Sequence, residues 1–165
     1  YKRQELEADF NVTVVTQNID NLHERAGSRR IIHLHGELMK VCSSANPDNP
    51  ACIRTLPPDH LRVAHAELAA DGSLLRPWIV WFGEAVPNLV PAADITAQAD
   101  IFVIVGSSLQ VYPAAGLIRY TRPGIPIYLI DPQPVQVPGH YHIEVISQKA
   151  SEGMATLVSR LLPSV

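Results

Sequence analysis

Apolar and polar residues are grouped along the chain in short blocks whose spacing changes from one block to the next. In the opening YKRQELEADF, Leu6 and Phe10 stand four apart, so this stretch reads as the end of an amphipathic helix. The β-branched run Val12-Thr13-Val14-Val15-Thr16 predicts a strand. Asp20 is placed to cap a short helix over 21–26, with Gly27 as its stop. Ile31 to Leu34 predicts a second short strand. From Ser43 to Ser73 the periodicity breaks. Pro47, Pro50, Pro57 and Pro58 punctuate a stretch filled with Asn, Asp and Ser, which predicts an irregular insertion containing a weak helix near Asp59 to Ala69.

Order returns at Trp78 to Phe82, a strand by β-propensity, followed by a helix over 87–99 with Pro91 in its first turn. Ile101 to Val105 is a continuous apolar strand ending at Gly106. Pro113 opens a helix running to Tyr120, the strand Ile125 to Ile130 ends at Asp131, and Ile143 to Ile146 is the last strand. Ser151 caps the final helix, where Met154, Leu157, Val158, Leu161 and Leu162 fall at i, i+3, i+4, i+7 and i+8. Strands apolar on both faces and separated by helices imply a parallel sheet in an α/β fold.

The 165 residues suit one ordinary domain or most of a larger one. Thirteen basic against 16 acidic side chains leave a charge of −3, which gives no electrostatic reason for nucleic acid or an anionic membrane as partner. Hydrophobic residues at 47% argue against disorder. No apolar run approaches the roughly 20 residues of a membrane span, and no signal-peptide pattern opens the chain, so the expected compartment is the cytoplasm. Residue 1 is Tyr rather than Met, so the chain is read as cropped or processed.

Three polar clusters stand at predicted strand ends: Gln17-Asn18-Ile19-Asp20, Gly106-Ser107-Ser108 and Asp131-Pro132-Gln133. Each alone is ordinary turn chemistry, but in an open parallel sheet this is where nucleotides bind. The Gly106-Ser107-Ser108 turn leads into a helix and can offer N–H groups to phosphate or ribose, and Asp131 can accept from ribose hydroxyls. Neither G-x-G-x-x-G nor a P-loop is present. His33 and His35 are two apart and share a face on a strand. They read as surface histidines, as metal ligands together with His140 and His142, or as one catalytic base beside the open space at Gly36. Cys42 and Cys52 lack the paired knuckles of a structural zinc site and read as plain thiols. Trp78-Ile79-Val80-Trp81-Phe82-Gly83-Glu84 reads either as a buried strand or as an edge that accepts an extended peptide.

Thr16-Gln17-Asn18-Ile19-Asp20-Asn21-Leu22-His23-Glu24-Arg25-Ala26-Gly27 resembles the T-Q-N-I/V-D-x-L-H-x-x-A-G signature of the sirtuins, the NAD-dependent protein deacylases. Leu34-His35-Gly36 is similar to their catalytic L-H-G, and Val80-Trp81-Phe82-Gly83-Glu84 to their peptide-binding F-G-E strand. Gly106-Ser107-Ser108-Leu109-Gln110-Val111 is similar to their nucleotide loop, and Lys149-Ala150-Ser151 to the segment near the adenine, with Gln148 in place of glycine. The motifs keep the family's order from about Asn11 to Leu162.

The resemblance implies NAD as co-substrate and an acyl-lysine protein or peptide as partner. Gln17, Asn18, Ile19 and Asp20 would line the nicotinamide-ribose pocket, and His35 would be the general base. Gly106, Ser107, Ser108, Asp131, Pro132, Gln133 and Ala150 would hold the adenosine half. Val80, Trp81, Phe82, Gly83 and Glu84 would bind the peptide, with Trp81 and Phe82 walling the acyl-lysine tunnel. It also implies a Rossmann-like parallel sheet with helices on both faces over 1–42 and 74–165. The 43–73 insertion would then stand in place of a degenerate zinc module, so no zinc is expected. The family's G-A-G-x-S loop and G-I-P-x-F-R stretch are absent, so the sheet is expected to lack its first, central strand. That strand would belong between Val12–Thr16 and Ile101–Val105, and without it the chain taken alone is expected to be molten and silent. The family has Asn where this chain has Asp131. The alternatives are an NAD-consuming hydrolase or ADP-ribosyltransferase, and a non-catalytic remnant.

Overall fold

A computed structural model describes residues 2–106, 114–133 and 141–162. The elements run α1 (Lys2–Leu6), β1 (Val14–Thr16), α2 (Leu22–Arg25), β2 (Ile31–His33), β3 (Gly36–Ser43), a 3₁₀ turn (Pro50–Cys52), β4 (Arg54–Thr55) and β5 (Leu75–Ile79). They continue with α3 (Leu89–Ala97), β6 (Phe102–Val105), a 3₁₀ helix (Ala114–Tyr120), β7 (Ile127–Ile130), β8 (Ile143–Ile146) and α4 (Ala150–Leu161). Contacts divide the chain into two compact units, one formed by Val14–Asn88 and the other by the residues before and after it. That division falls outside the 43 and 73 boundaries read from composition, because β3 and β5 bind the insertion to the strands around it.

In the flanking unit β6, β7 and β8 form a parallel sheet in that order. Residues alternate between its two faces. Ile104, Ile127 and Leu129 pack against Ile118 of the 3₁₀ helix, whereas Ile130 and Ile146 pack against Leu157 of α4. Helices therefore cover both faces, the Rossmann-type α/β arrangement, with α1 lying against α4 and α3 against the 3₁₀ helix. Helix α4 sits close over β7 because Gly153 carries no side chain. A Cβ there would fall 2.3 Å from Ile130 Cγ2. The helix starts at Ala150 with Lys149 as its cap, two residues ahead of the expected Ser151 cap. Its first turn closes on the Lys149 carbonyl, and the Thr156 hydroxyl donates back to Gln148 Oε1 (2.8 Å).

In the Val14–Asn88 unit β1 and β2 pair in parallel, and β4-β3-β5 form an antiparallel sheet. Among the described residues β1 pairs only with β2, and β6 only with β7. Pro77 is tolerated in β5 because that strand is an edge. The insertion is more ordered than its composition suggests. Ser43, fully buried at the end of β3, donates to Asp71 Oδ2 (2.6 Å), shares a hydrogen bond with Ser73 (2.7 Å), and accepts the Ala45 and Asn46 N–H groups. The helix expected near Asp59 to Ala69 does not form. The segment makes two turns, Ala66 lies at φ 61°, and Leu61 and Leu68 stay exposed, so no apolar face rewards a helix.

The expected strand over Trp78 to Phe82 is displaced. β5 ends at Ile79, and Trp81 to Glu84 form a turn with Gly83 at φ 91°. Two bonds close that turn, Glu84 N–H to the Trp81 carbonyl and Trp81 N–H to Glu84 Oε2, both 3.0 Å.

Candidate active site around His35

The parallel pair β1–β2 ends at Thr16 and His33, and the chain leaves β1 with Gln17-Asn18 and β2 with the buried Leu34 followed by His35. Four successive carbonyls from Thr16, the last residue of β1, are then held. Leu34 N–H donates to Thr16 O (2.9 Å), His35 Nδ1–H to Gln17 O (3.1 Å), His33 Nδ1–H to Asn18 O (3.0 Å), and Leu38 N–H to Ile19 O (2.8 Å). The Asn18 N–H adds a bond to Thr16 Oγ1 (3.1 Å). A loop pinned at every peptide fixes where Gln17 and Asn18 stand, while their side chains remain half-buried and exposed, respectively. Asp20 does not cap α2 in the expected frame. Asn21 occupies the cap position, and Asp20 Oδ1 accepts the Leu22 N–H (2.9 Å).

His33 and His35 serve different ends. Strand β2 stops at His33, so the two rings do not share a strand face; the chain turns at Leu34 and His35. His35 is half-buried, and its Nδ1–H on the Gln17 carbonyl fixes the tautomer in which Nε2 is the basic nitrogen. The His35 carbonyl accepts the Val80 N–H (2.9 Å), which ties the imidazole's backbone to the exit of β5. His33 is 5% exposed, and its Nε2–H donates to Glu24 Oε1 (2.7 Å). Burial opposes charge on His33, but the bonds to Glu24 and to the Asn18 carbonyl outweigh it and raise its pKa. Glu24, Glu37 and His33 approach closely enough to share a cation. Both nitrogens of His33 are already engaged and Glu37 pairs with Lys40 (2.6 Å), so the group is an ion-pair network.

Gly36 has a different reason from the expected open space. It is buried at φ 79°, and a Cβ there would lie 2.1 Å from the Trp78 carbonyl. Glycine is required because β5 crosses against it.

Of the expected peptide-binding residues, Val80 is half-buried, Trp81 is exposed and Phe82 stands fully in solvent. Glu84 is used internally. Its carboxylate accepts from Trp81 N–H and from Arg76 Nη2 (3.2 Å), and the Trp81 bond leads in holding its pKa below the usual value. Arg76 also donates to the Ile79 carbonyl (3.2 Å), so it braces both ends of the turn. A cavity of about 240 Å³ beside this turn, lined by Gly36, Arg76, Trp78, Val80 and Glu84, falls below the size of an ordinary ligand pocket.

In the flanking unit Gly106, Asp131 and Ala150 all lie at the carboxyl edge of β6–β7–β8. Gly106 has φ 60°, and the space where its Cβ would sit is open. Asp131 Oδ1 accepts the Gln133 N–H (2.8 Å) across Pro132, which makes the expected cluster a tight turn. Ser107, Ser108, Pro113 and His140 lie outside the described residues. The sequence reading missed Glu24, Arg76 and Asn88, whose Nδ2 donates to the His33 carbonyl (2.7 Å). Glu24 carried a signal, its place inside the matched motif; a lone Asn 55 residues from its partner carried none.

Residues 3–113 match the family model described as the Sir2 family. A Bacteroides thetaiotaomicron protein named NAD-dependent protein deacylase is 56% identical over 160 residues, covering 97% of this chain and 68% of its own length. A Helicobacter pylori protein of the same name is 43% identical over 158 residues, covering 96% and 66%. The chain thus spans about two thirds of the length of these curated relatives. A crystal structure of a Sir2 homolog–NAD complex superposes with a TM-score of 0.78 at 34% identity, over 97% of this chain and 62% of that one. A structure of Sir2Tm bound to a propionylated peptide gives 0.74 at 30% identity, over 97% and 68%. On the model match, which takes in more than half the chain, and on these relatives, the chain belongs to the Sir2 family.

Proposed function

We propose that this chain carries the catalytic histidine, the substrate loop and part of the nucleotide edge of an NAD-dependent protein-lysine deacylase. NAD, as co-substrate, supplies the ADP-ribose that receives the acyl group, with nicotinamide released. The observation that carries the reading is the double tether of His35. Its Nδ1–H is held by the Gln17 carbonyl, and its own carbonyl is held by Val80 N–H. The base and the Trp81–Phe82 turn are thereby built on one backbone frame. His35 Nε2 takes a proton from a ribose hydroxyl, so the ring must be neutral when it acts. Gln17, Asn18, Ile19 and Asp20 would surround the nicotinamide half. Gly106, Ser107, Ser108, Asp131, Pro132, Gln133 and Ala150 would hold the adenosine half. The open space at Gly106 and the Asp131 carboxylate at a parallel-sheet edge suit a ribose or phosphate group. Exposed Trp81 and Phe82 favour a peptide partner over free NAD hydrolysis. With the exposed Glu84 carboxylate already engaged by Trp81 N–H and Arg76, peptide contact falls chiefly to Val80, Trp81, Phe82 and Gly83.

We further propose that the insertion needs no zinc and that the enzyme works in the cytoplasm. Cys42 Sγ–H donates to the Pro77 carbonyl (3.8 Å), and burial pushes its thiol above the ordinary pKa, away from the thiolate that zinc binds. Cys52 accepts from Asn49 Nδ2 (3.5 Å). The test of the main reading is a deacylation assay with NAD and an acyl-lysine peptide. In the complete parent protein, His35→Tyr is expected to lower turnover at least ~10²-fold with NAD binding largely kept, the range for a lost general base. Turnover within a few-fold of wild type would overturn the assignment. Nicotinamide release that ignores the peptide would favour a hydrolase.

A further inference from the structure

We propose that His33 is a positioning residue, a buried imidazolium that clamps the Asn18 carbonyl to helix α2 through Glu24 and so sets the loop that His35 works beside. The functional half of this inference rests on the deacylase reading; the clamp itself does not. Both partners of the His33 ring are acceptors: the Asn18 carbonyl at Nδ1 (3.0 Å) and the Glu24 carboxylate at Nε2 (2.7 Å). A neutral imidazole has one N–H and one lone pair, so it would turn its lone pair on one of those oxygens. A ring carrying both hydrogens satisfies both. The other way to satisfy them, a neutral ring facing a protonated Glu24, is disfavoured because the Glu24 side chain is 40% exposed and water sustains its charge.

The charged groups around the ring agree. Glu24 on α2 and Glu37 on β3 both favour the protonated form, and His23 acts on Glu24 in turn. Glu37 is itself bridged to Lys40, and the neutral Asn88 amide holds the His33 carbonyl. Two histidines two residues apart thus grip neighbouring carbonyls through different sets of bonds. His35 donates from Nδ1 and keeps Nε2 basic, whereas His33 donates from both nitrogens and can only hold.

The pH dependence follows with its sign. His33 has a raised pKa, so its contribution is complete below the ordinary histidine value of 6.5 and is lost as pH rises through the raised value. Glu24 has a lowered pKa, so its contribution is complete above 4.5 and is lost as pH falls through the lowered value. The clamp is whole between those ordinary values and beyond them on both sides until each shifted pKa is crossed.

The experiment is nitrogen-15 NMR of the histidine rings in the full chain, joined to amide exchange of residues 17–20. At pH 6.5, the ordinary histidine value, more than half of the His33 rings are expected to carry both protons, with the midpoint lying above it. Glu24→Gln, which keeps an acceptor but removes the charge, should move the His33 midpoint down and speed exchange of the loop amides about tenfold, the scale of one net hydrogen bond. In turnover, Glu24→Gln should raise KM for NAD more than it lowers kcat, and should bring the alkaline rise of that KM to lower pH. His33→Gln keeps one donor for Asn18 and should remove that pH limb. A His33 ring that titrates at or below the ordinary 6.5, or a Glu24→Gln variant with unchanged His33 titration and loop exchange, overturns the clamp. The NMR and exchange measurements need no turnover. Should they behave as expected in a protein that deacylates nothing, the deacylase reading falls and the clamp stands.

Discussion

Gly36 shows how little room surrounds the candidate base. Its backbone lies at φ 79°, and the Trp78 carbonyl occupies the place of a Cβ at 2.1 Å. Gly27 provides the control, since it has φ 92° and nothing within 4 Å of its Cβ position. Gly27→Ala meets only the left-handed backbone penalty, about 1–2 kcal/mol. Gly36→Ala meets that penalty and a backbone clash as well, so β5 must move off β3 and carry Val80 away from the His35 carbonyl. A displacement near 1 Å at a reacting group can cost ~10² in rate. Gly36→Ala is therefore expected to lower both Tm and turnover well beyond Gly27→Ala. Equal losses in the two variants would show that the clash is absorbed and that Gly36 does not position His35. The L-H-G motif was legible in the sequence, but the reason for its glycine was not. Whether the space beside a glycine is empty or filled depends on a strand some forty residues away.

The elements divide in the same way. Continuous apolar runs announced β6 and β7, because a parallel strand covered on two sides needs no pattern beyond hydrophobicity. β3 escaped because its burial does not alternate. Leu38 is exposed while Val41, Cys42 and Ser43 are all buried, and the register with β5 shifts between Gly36 and Val41. In the site, the matched motifs placed Gln17, Asn18 and His35, whereas the braces Arg76 and Asn88 were visible only once the chain was folded. The insertion owes its order to a polar centre within a stretch that composition reads as irregular. Ser43 is the hub, and its partner Asp71 is held at a pKa of about 2, chiefly by the Ser43 and Ser73 hydroxyls. Ser43→Ala leaves the Ala45 and Asn46 N–H groups without their acceptor and is expected to cost about 1–3 kcal/mol in denaturant unfolding. The contribution of Asp71 is complete above its ordinary value of 3.8 and is lost as pH falls through about 2. Asp71→Asn should therefore flatten the acid limb of the stability curve in that window. A limb of unchanged steepness would remove Asp71 from the account.

At the scale of the molecule the remaining question is what holds the Val14–Asn88 unit together where zinc-bearing relatives of the resemblance use metal. No helix of the described residues is long and apolar enough to cross a membrane. Structural zinc requires four deprotonated or neutral donors converging within about 2.0–2.3 Å of one point. Cys42 is fully buried with its pKa raised by that burial, and it donates to the Pro77 carbonyl. Cys52 is bonded to Asn49, and His60 and His65 stand on exposed turns. Drawing Cys42 onto a metal would forfeit its bond to the Pro77 carbonyl. Around it, the Ser43–Asp71–Ser73 centre and the β3–β5 ladder already satisfy the polar groups. Because metal binding free energy is folding free energy wherever a site is structural, a chelator separates the two designs. EDTA is expected to leave the Tm of this protein unchanged, and elemental analysis of the purified protein should find no stoichiometric zinc. One zinc per chain, or a melt that falls several degrees on chelation, would mean that Cys42 and Cys52 bind metal and that the hydroxyl–carboxylate centre is secondary to it.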